Sequence, residues 1–362
     1  MSKRLWRQAE AQAAEGAWAD AGMTYAEIAE KAARVKDTAV ARQAAALAAD
    51  AFRRDDRPAA AAKLLMLGRA QGADSLSDRV QLASVLMDAG ELAAALDIAT
   101  QARSDALLTG EAAAEVLARD TLAGLLLAAG RVDEARAEVD AIGLLQLPGG
   151  EVARRFRCAQ VLRLDGRCAE AEEEWKKLAE ELEVYPQAAG AAAACRMERA
   201  ESLALRVALG ADAEWLERAL AEEDRAAKLW MQAGRRAGLY RSEAWKLRLR
   251  RQRGETVLPA AIEQALRYAT ERKMPLLRAE LLVCLAVVTG NPDPALQALS
   301  LLPEAPLARG RARVVAAELG APLSDALFDE LAPDAAWTAR AMLCSADPQL
   351  QREGKARAAL LR

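Results

Sequence analysis

Two groups of residues in this 362-residue chain have types and spacing that could do chemistry. The first is acidic. Asp55-Asp56 and Glu222-Glu223-Asp224 place carboxylates side by side, and a buried carboxylate pair is what general acid–base work needs. Nothing in the surrounding letters marks either pair as buried, so both are expected to be solvated charges on helix surfaces. The second group is basic. Residues 225–253 hold ten Lys or Arg and one acid, Glu243, with Trp230, Tyr240 and Trp245 interleaved. Arginine among aromatics can hold a phosphate backbone or stacked single-stranded bases, or it can meet an acidic protein surface. Arg235, Arg236, Arg241, Lys246, Arg248 and Arg251 are the candidates. A third arrangement is internal. Glu170, Glu172, Glu173, Glu174, Glu180, Glu181 and Glu183 form an acidic run one repeat earlier, and helices of opposite charge would cancel.

Other chemistry is closed off by composition. The chain has no histidine, which removes the commonest general base and metal ligand, so Ser-His and Cys-His nucleophile pairs cannot form within it. No cofactor or metal is expected. The five cysteines, Cys158, Cys168, Cys195, Cys284 and Cys344, are odd in number and show no C-x-x-C spacing. They read as reduced core thiols of a cytoplasmic protein. No phosphate loop, dinucleotide fingerprint or nucleophile elbow occurs. The chain is therefore expected not to be an enzyme. Net charge is −3, so the whole molecule is not a polyanion binder. The N-terminus, MSKRLWRQAEAQ, is charged from the start and lacks an apolar signal core. The longest apolar run, residues 281–288, is too short to cross a bilayer.

The elements that position these residues are helices. Alanine supplies 90 residues; with Leu, Arg and Glu it makes a strongly helix-forming chain. A glycine followed five residues later by alanine recurs at Gly90/Ala95, Gly130/Ala135, Gly166/Ala171 and Gly290/Ala295, with Asp56/Ala61 in the same slots. Steps from Gly22 to Asp56 and on to Gly90 are 34 residues each, followed by 40 and 36. A period of this size means stacked helix pairs. The turn glycine accepts the left-handed conformation that ends a helix; the alanine lies where the two helices cross closely. The first pair is expected at residues 5–20 and 25–35. The beat loosens over 187–275, where helices lengthen. Pro306, Pro322, Pro333 and Pro348 cut the tail into short helices, ending in a basic stretch at 352–362. Three regions are expected in one continuous solenoid: regular repeats at 1–186, divergent ones with the basic segment at 187–275, and a C-terminal repeat with capping helices at 276–362.

These positions resemble the tetratricopeptide repeat family. Leu82, Ala83, Leu86, Gly90, Ala95, Ala99 and Ala102 fall on its key positions, as do Leu122, Ala123, Leu126, Gly130 and Ala135 in the next unit. The match covers about residues 38–186 and 276–302 and fails where Trp215 and Pro259 occupy small-residue slots. The resemblance implies an all-α fold, a right-handed α-α superhelix of about eight or nine helix pairs, and a role as an interaction platform. In that register the groove is lined by Gln43, Asp50 and Arg53; Val80, Ser84 and Met87; Asp120 and Leu127; and Phe156, Gln160 and Arg163. Arg248 and Arg251 should also point into it. An apolar centre between polar flanks suits an extended peptide or an amphipathic helix, unless the protein's own C-terminal helices fill the groove.

The expected function is a non-catalytic adaptor that binds a partner protein or peptide. The partner could present an acidic surface; nucleic acid is the weakest reading, and no membrane is expected. The alternatives are a sensor whose superhelix closes on a peptide or small ligand, and a dedicated chaperone. Ala- and Arg-rich usage fits a high-GC bacterium.

Overall fold

The computed structural model describes residues 3–72, 74–323 and 326–361, with only the backbone at Pro148 and Ala326. Met1 and Ser2 of the charged N-terminus and Arg362 of the basic tail lie outside the described residues. Those residues form twenty α-helices and two short 3-10 turns, with no strand among them. In chain order the helices are α1 Lys3–Ala14, α2 Trp18–Arg34, α3 Thr38–Arg54, α4 Pro58–Ala70, α5 Leu76–Asp88, α6 Leu92–Thr109, α7 Ala112–Ala128, α8 Val132–Leu144, α9 Pro148–Leu164, α10 Cys168–Leu182, α11 Ala189–Ala208, α12 Glu214–Gln232, α13 Arg236–Gln252, α14 Ala260–Glu271, α15 Pro275–Thr289, α16 Asp293–Ala298, α17 Pro306–Glu318, α18 Ala326–Leu331, α19 Ala335–Leu343 and α20 Pro348–Leu361.

The chain reverses through left-handed residues, and Gly90 shows how. Its φ is 83°. Its N–H donates to Met87 O at 2.9 Å, and the next N–H, of Glu91, donates to Leu86 O at 2.9 Å. These two bonds use carbonyls that the end of α5 would leave unpaired. A β-branched residue resists this conformation. Gly90→Val should therefore cost roughly 1–3 kcal/mol, read as a lower midpoint in urea; an unchanged midpoint would show that the turn imposes no such demand. Lys36, Asp56, Gln146 and Lys273 adopt the same conformation without being glycine. Counting them, left-handed turns recur every 16 to 24 residues along most of the chain, once per helix. The glycine–alanine period is therefore every second turn.

The first turn lies at Gly16 (φ 75°), not at Gly22 as expected. Gly22 is inside α2, where an added Cβ would come within 2.9 Å of the Phe52 ring. The alanines five residues after the turns, Ala61, Ala95, Ala135, Ala171 and Ala295, are all fully buried. The tail prolines act as read: Pro306 and Pro348 open α17 and α20, and Pro333 stands just before α19.

The chain divides into two compact units, Met1–Leu122 with Glu271–Met274, and Ala123–Thr270 with Pro275–Arg362. The division falls inside α7. In the first unit, helices pack on their sequence neighbours through alanine-rich faces, including Ala21, Ala41, Ala44, Ala45, Ala48 and Ala61. The short segment after α14 belongs to this unit, where Arg272 pairs with Asp55 at 3.2 Å.

In the second unit the C-terminal helices return to the middle ones. Cys168, Leu205 and Leu209 share one core with Val314, Val315, Leu327, Leu331, Trp337 and Ala358. Leu361 and Ala335 sit against Gly166, and Pro306 and Pro333 against Gly130. The C-terminal helices therefore share a core with α10 and α11 and cover the turns at Gly130 and Gly166. Trp175 centres a second core with Ala159, Ala171, Leu178, Ala179 and Cys195.

Candidate functional site

The site begins with an anomaly in α12. Its buried stripe runs Leu216, Ala219, then Glu222 and Glu223, then Ala226 and Ala227. That is the spacing of an apolar helix face, with two glutamates standing where apolar residues belong. Glu222 and Glu223 are 5% and 1% exposed. The expectation that they are solvated is wrong, and Asp56 is buried as well. Only Asp224, one step further round the helix, is exposed.

Glu222 is matched by cations from α11. Arg196 Nη1 lies 3.0 Å away and Arg199 Nη1 2.5 Å away, and Arg196 also reaches Glu183 at 2.8 Å. Glu223 has no cation within ion-pairing distance among the described residues. Burial pushes its carboxyl up to about 8, and Ser242 and Arg241 offset that only in part. It is therefore mostly neutral at pH 7. Glu172 of α10 accepts from Ser202 at 3.1 Å and Arg206 at 3.0 Å, yet burial still raises its carboxyl.

Further charges gather between α9, α11, α13, α15, α17 and α19. Arg163 pairs with Glu201 at 2.7 Å and Glu198 at 3.5 Å. Glu201 also meets Arg311 at 3.2 Å, and Arg311 meets Asp334 at 2.7 Å. Burial alone would raise the Glu201 carboxyl, but Arg163 and Arg311 outweigh it and hold it down at about 2. Asp334 also caps α19, accepting from the Trp337 backbone N–H. Arg241 pairs with Glu280 at 2.7 Å, and Arg340 with Glu318 at 2.5 Å.

Arg248 is the exception. It is 4% exposed, makes no ion pair among the described residues, and its Nε has no hydrogen-bond acceptor. It stacks on Trp245 with 4.5 Å from guanidinium carbon to ring centroid. Such a contact gives about 0.5–2 kcal/mol, against a desolvation penalty of several kcal/mol for an unpaired ion. Burial lowers its affinity for the proton.

The groove residues read from sequence separate into two sets. In the first unit, Gln43 and Ser84 are exposed, and Asp50, Arg53, Met87 and Asp120 are half-buried. Asp50 is held by Arg53 at 3.1 Å and Arg54 at 2.8 Å. Val80, and Leu127 of the second unit, are buried and do not line an open face; Val80 packs with Ala102, Ala106 and Ala118. The reason is geometric. Val80 sits one turn before Ser84, but its short side chain turns into the α5–α6 contact. In the second unit, Phe156 joins the Trp175 core, Gln160 donates to Glu198 at 2.9 Å, and Arg163 is buried in the network above.

The basic segment separates similarly. Arg241 and Lys246 are internally paired, Lys246 with Asp224 at 2.9 Å and Glu243 at 2.8 Å. Arg248 is buried, whereas Arg251 and Arg236 are exposed and Arg235 is half-buried. Internal pairing thus holds for two of the six candidates, and the acidic run of α10 is not their partner. That run pairs instead with Arg155, Arg167, Lys177, Arg196 and Arg206. An open cleft of ≈ 810 Å³ between α9 and α10 is lined by some of these charges. Trp230 packs against Gly238 and Gly190, and Trp215 lies between Arg206 and Arg218, each 4.2 Å from its ring.

The sequence reading missed Glu201, Glu280, Arg311, Asp334 and Arg340. One signal was present. Glu280 is the lone acid in the largely apolar α15, whose other charge is Arg278, and a charge on such a helix needs a partner.

All five cysteines are free. Burial pushes the thiols of Cys195 and Cys284 up to about 12 and those of Cys168 and Cys344 up to about 11, so they behave as small apolar side chains. Among the described residues no cluster of acids and cysteines could hold a metal ion, and no helix is long and apolar enough to cross a membrane.

No protein-family model matches the chain, and no curated protein matches it. One solved structure that it resembles is a circular tandem repeat protein with novel repeat topology and enhanced subunit contact surfaces. That likeness has a TM-score of 0.22 at 13% identity, over 96% of this chain and 89% of that one. At this level it carries no argument, and the all-α, tandem-helix description rests on the helices and contacts themselves.

Proposed function

We propose that this chain is a non-catalytic scaffold of the tetratricopeptide-like kind, an intracellular adaptor that holds a partner protein or peptide on the solvent-facing stripe of α3 and α5. One contrast carries the reading. Gln43, Asp50 and Arg53 on α3 and Ser84 and Met87 on α5 keep solvent contact, whereas Gln160, Arg163 and Arg241 are engaged by the chain's own side chains. The first unit therefore keeps Gln43, Ser84 and Met87 in solvent contact beside the paired Asp50 and Arg53, and a stripe of this kind suits peptide recognition. The burial of Leu82, Ala83, Leu86, Ala95, Ala99 and Ala102 around the Gly90 turn supports the family reading. Arg235, Arg236 and Arg251, which have no ion-pair partner among the described residues, are where an acidic partner surface would be met.

The test is affinity capture with the intact chain. Ser84→Glu with Met87→Glu should leave the melting temperature within a degree or two and remove partners that the unaltered chain retains. Arg235→Glu with Arg251→Glu reports on the acidic-partner variant of the reading. Partners retained equally by both altered chains would overturn the proposal.

A further inference from the structure

We infer that the second unit contains a site for one small oxyanion, a carboxylate or a phosphate, seated on Arg248. The inference goes beyond the scaffold reading and does not depend on it. The acids that act most strongly on this guanidinium are engaged by other arginines. On its own helix α13, Trp245 offers a ring face. From α11, Glu201 is shared by Arg163 and Arg311. From α15, Glu280 is matched by Arg241, and Cys284 is a neutral thiol at pH 7. From α17, Glu318 is taken by Arg340, and Arg340 of α19 is itself a repelling cation. Arg248 is thus a nearly fully buried cation whose neighbouring acids belong to other arginines.

The interior of this unit holds other unsatisfied polar groups as well. Buried donors without acceptors include the Nε atoms of Arg163, Arg199, Arg206 and Arg309 and the indole Nε1 of Trp175 and Trp337; the orphaned acceptors include Glu198 and Glu223 oxygens. An interior with spare donors and one uncompensated cation is complemented by an acceptor carrying negative charge. A planar carboxylate or a phosphate suits the guanidinium fork and takes paired hydrogen bonds from it. The Trp245 ring holds that fork in place from one side.

The experiment uses the full chain in a buffer whose only anion is chloride, with sodium phosphate or sodium acetate added at constant ionic strength. The Tm of the unaltered chain should rise in a saturable way, by roughly 5–10 °C at an anion concentration a hundredfold above its Kd. The anion that saturates at the lower concentration identifies the source chemistry. Arg248→Met should lose this response, while Arg251→Met, altered at an exposed site, should keep it. Should Arg248→Met fail to fold, Arg248→Lys keeps the charge without the fork, and its affinity by calorimetry should be at least tenfold weaker. The inference is overturned if neither anion moves the Tm of the unaltered chain, if Arg248→Met responds as the unaltered chain does, or if Arg248→Lys binds equally well.

Discussion

Glu222→Leu should destabilise the protein by about 3–5 kcal/mol, because removing one member of a buried ion pair leaves its partners charged and dry. Arg199 would lose its only carboxylate among the described residues, and Arg196, 1% exposed, would keep only Glu183. Leucine fits the stripe of α12 well, so the loss is electrostatic rather than steric. Urea unfolding followed by helical dichroism measures it. A second substitution separates pairing from packing. Arg196→Leu combined with Glu222→Leu should cost clearly less than the two single changes added together, since an apolar pair can replace a buried ion pair with little loss. Costs that add to within about 0.5 kcal/mol would show that the contact contributes nothing of its own.

Glu223→Gln should have the opposite character, with an effect that depends on pH. The folded protein holds the Glu223 carboxyl at about 8, above its ordinary value of 4.5. The native state therefore keeps a proton that the unfolded chain gives up as pH rises through that interval. Stability from this group is complete below about pH 4.5 and declines towards pH 8, by on the order of 4 kcal/mol at about 1.4 kcal/mol per pH unit. Glutamine keeps the shape and cannot ionise, so the altered chain should lose that slope and be the more stable of the two at pH 9. The raised carboxyls of Glu172 and Glu280 slope the same way and Glu201 the opposite way, but all three are present in both proteins and cancel in the comparison. Parallel stability profiles from pH 5 to 9 would refute the assignment.

Glu222 and Glu223 are adjacent and identical in type, and they illustrate how far the letters alone can be read. Their burial was legible in principle, because they continue the spacing of Leu216, Ala219, Ala226 and Ala227. The acid run hid it, since acids at helix surfaces are ordinary. That one is paired and the other neutral was not legible. The difference depends on which side of α12 meets Arg196 and Arg199, residues more than twenty positions away. The left-handed turns at Lys36, Gln146 and Lys273 were hidden for a related reason. Backbone geometry there is imposed by neighbouring helices, and the side-chain types do not announce it. Gly22 misled in reverse: a glycine needed for closeness to Phe52 looked like one needed for a turn.

The amino-acid order by itself determined the helical class, the recurrence of turns, the small residues at crossings and the lack of histidine chemistry. Each follows from short-range sterics or from composition, which act within a few residues. Tertiary structure alone decided that α17 to α20 return onto α9 to α11, that Glu201 is shared by Arg163 and Arg311, and that Arg248 is left with no counter-charge. Those outcomes depend on groups brought together from distant positions, where burial multiplies the strength of every charge and no local pattern records which one finds a partner.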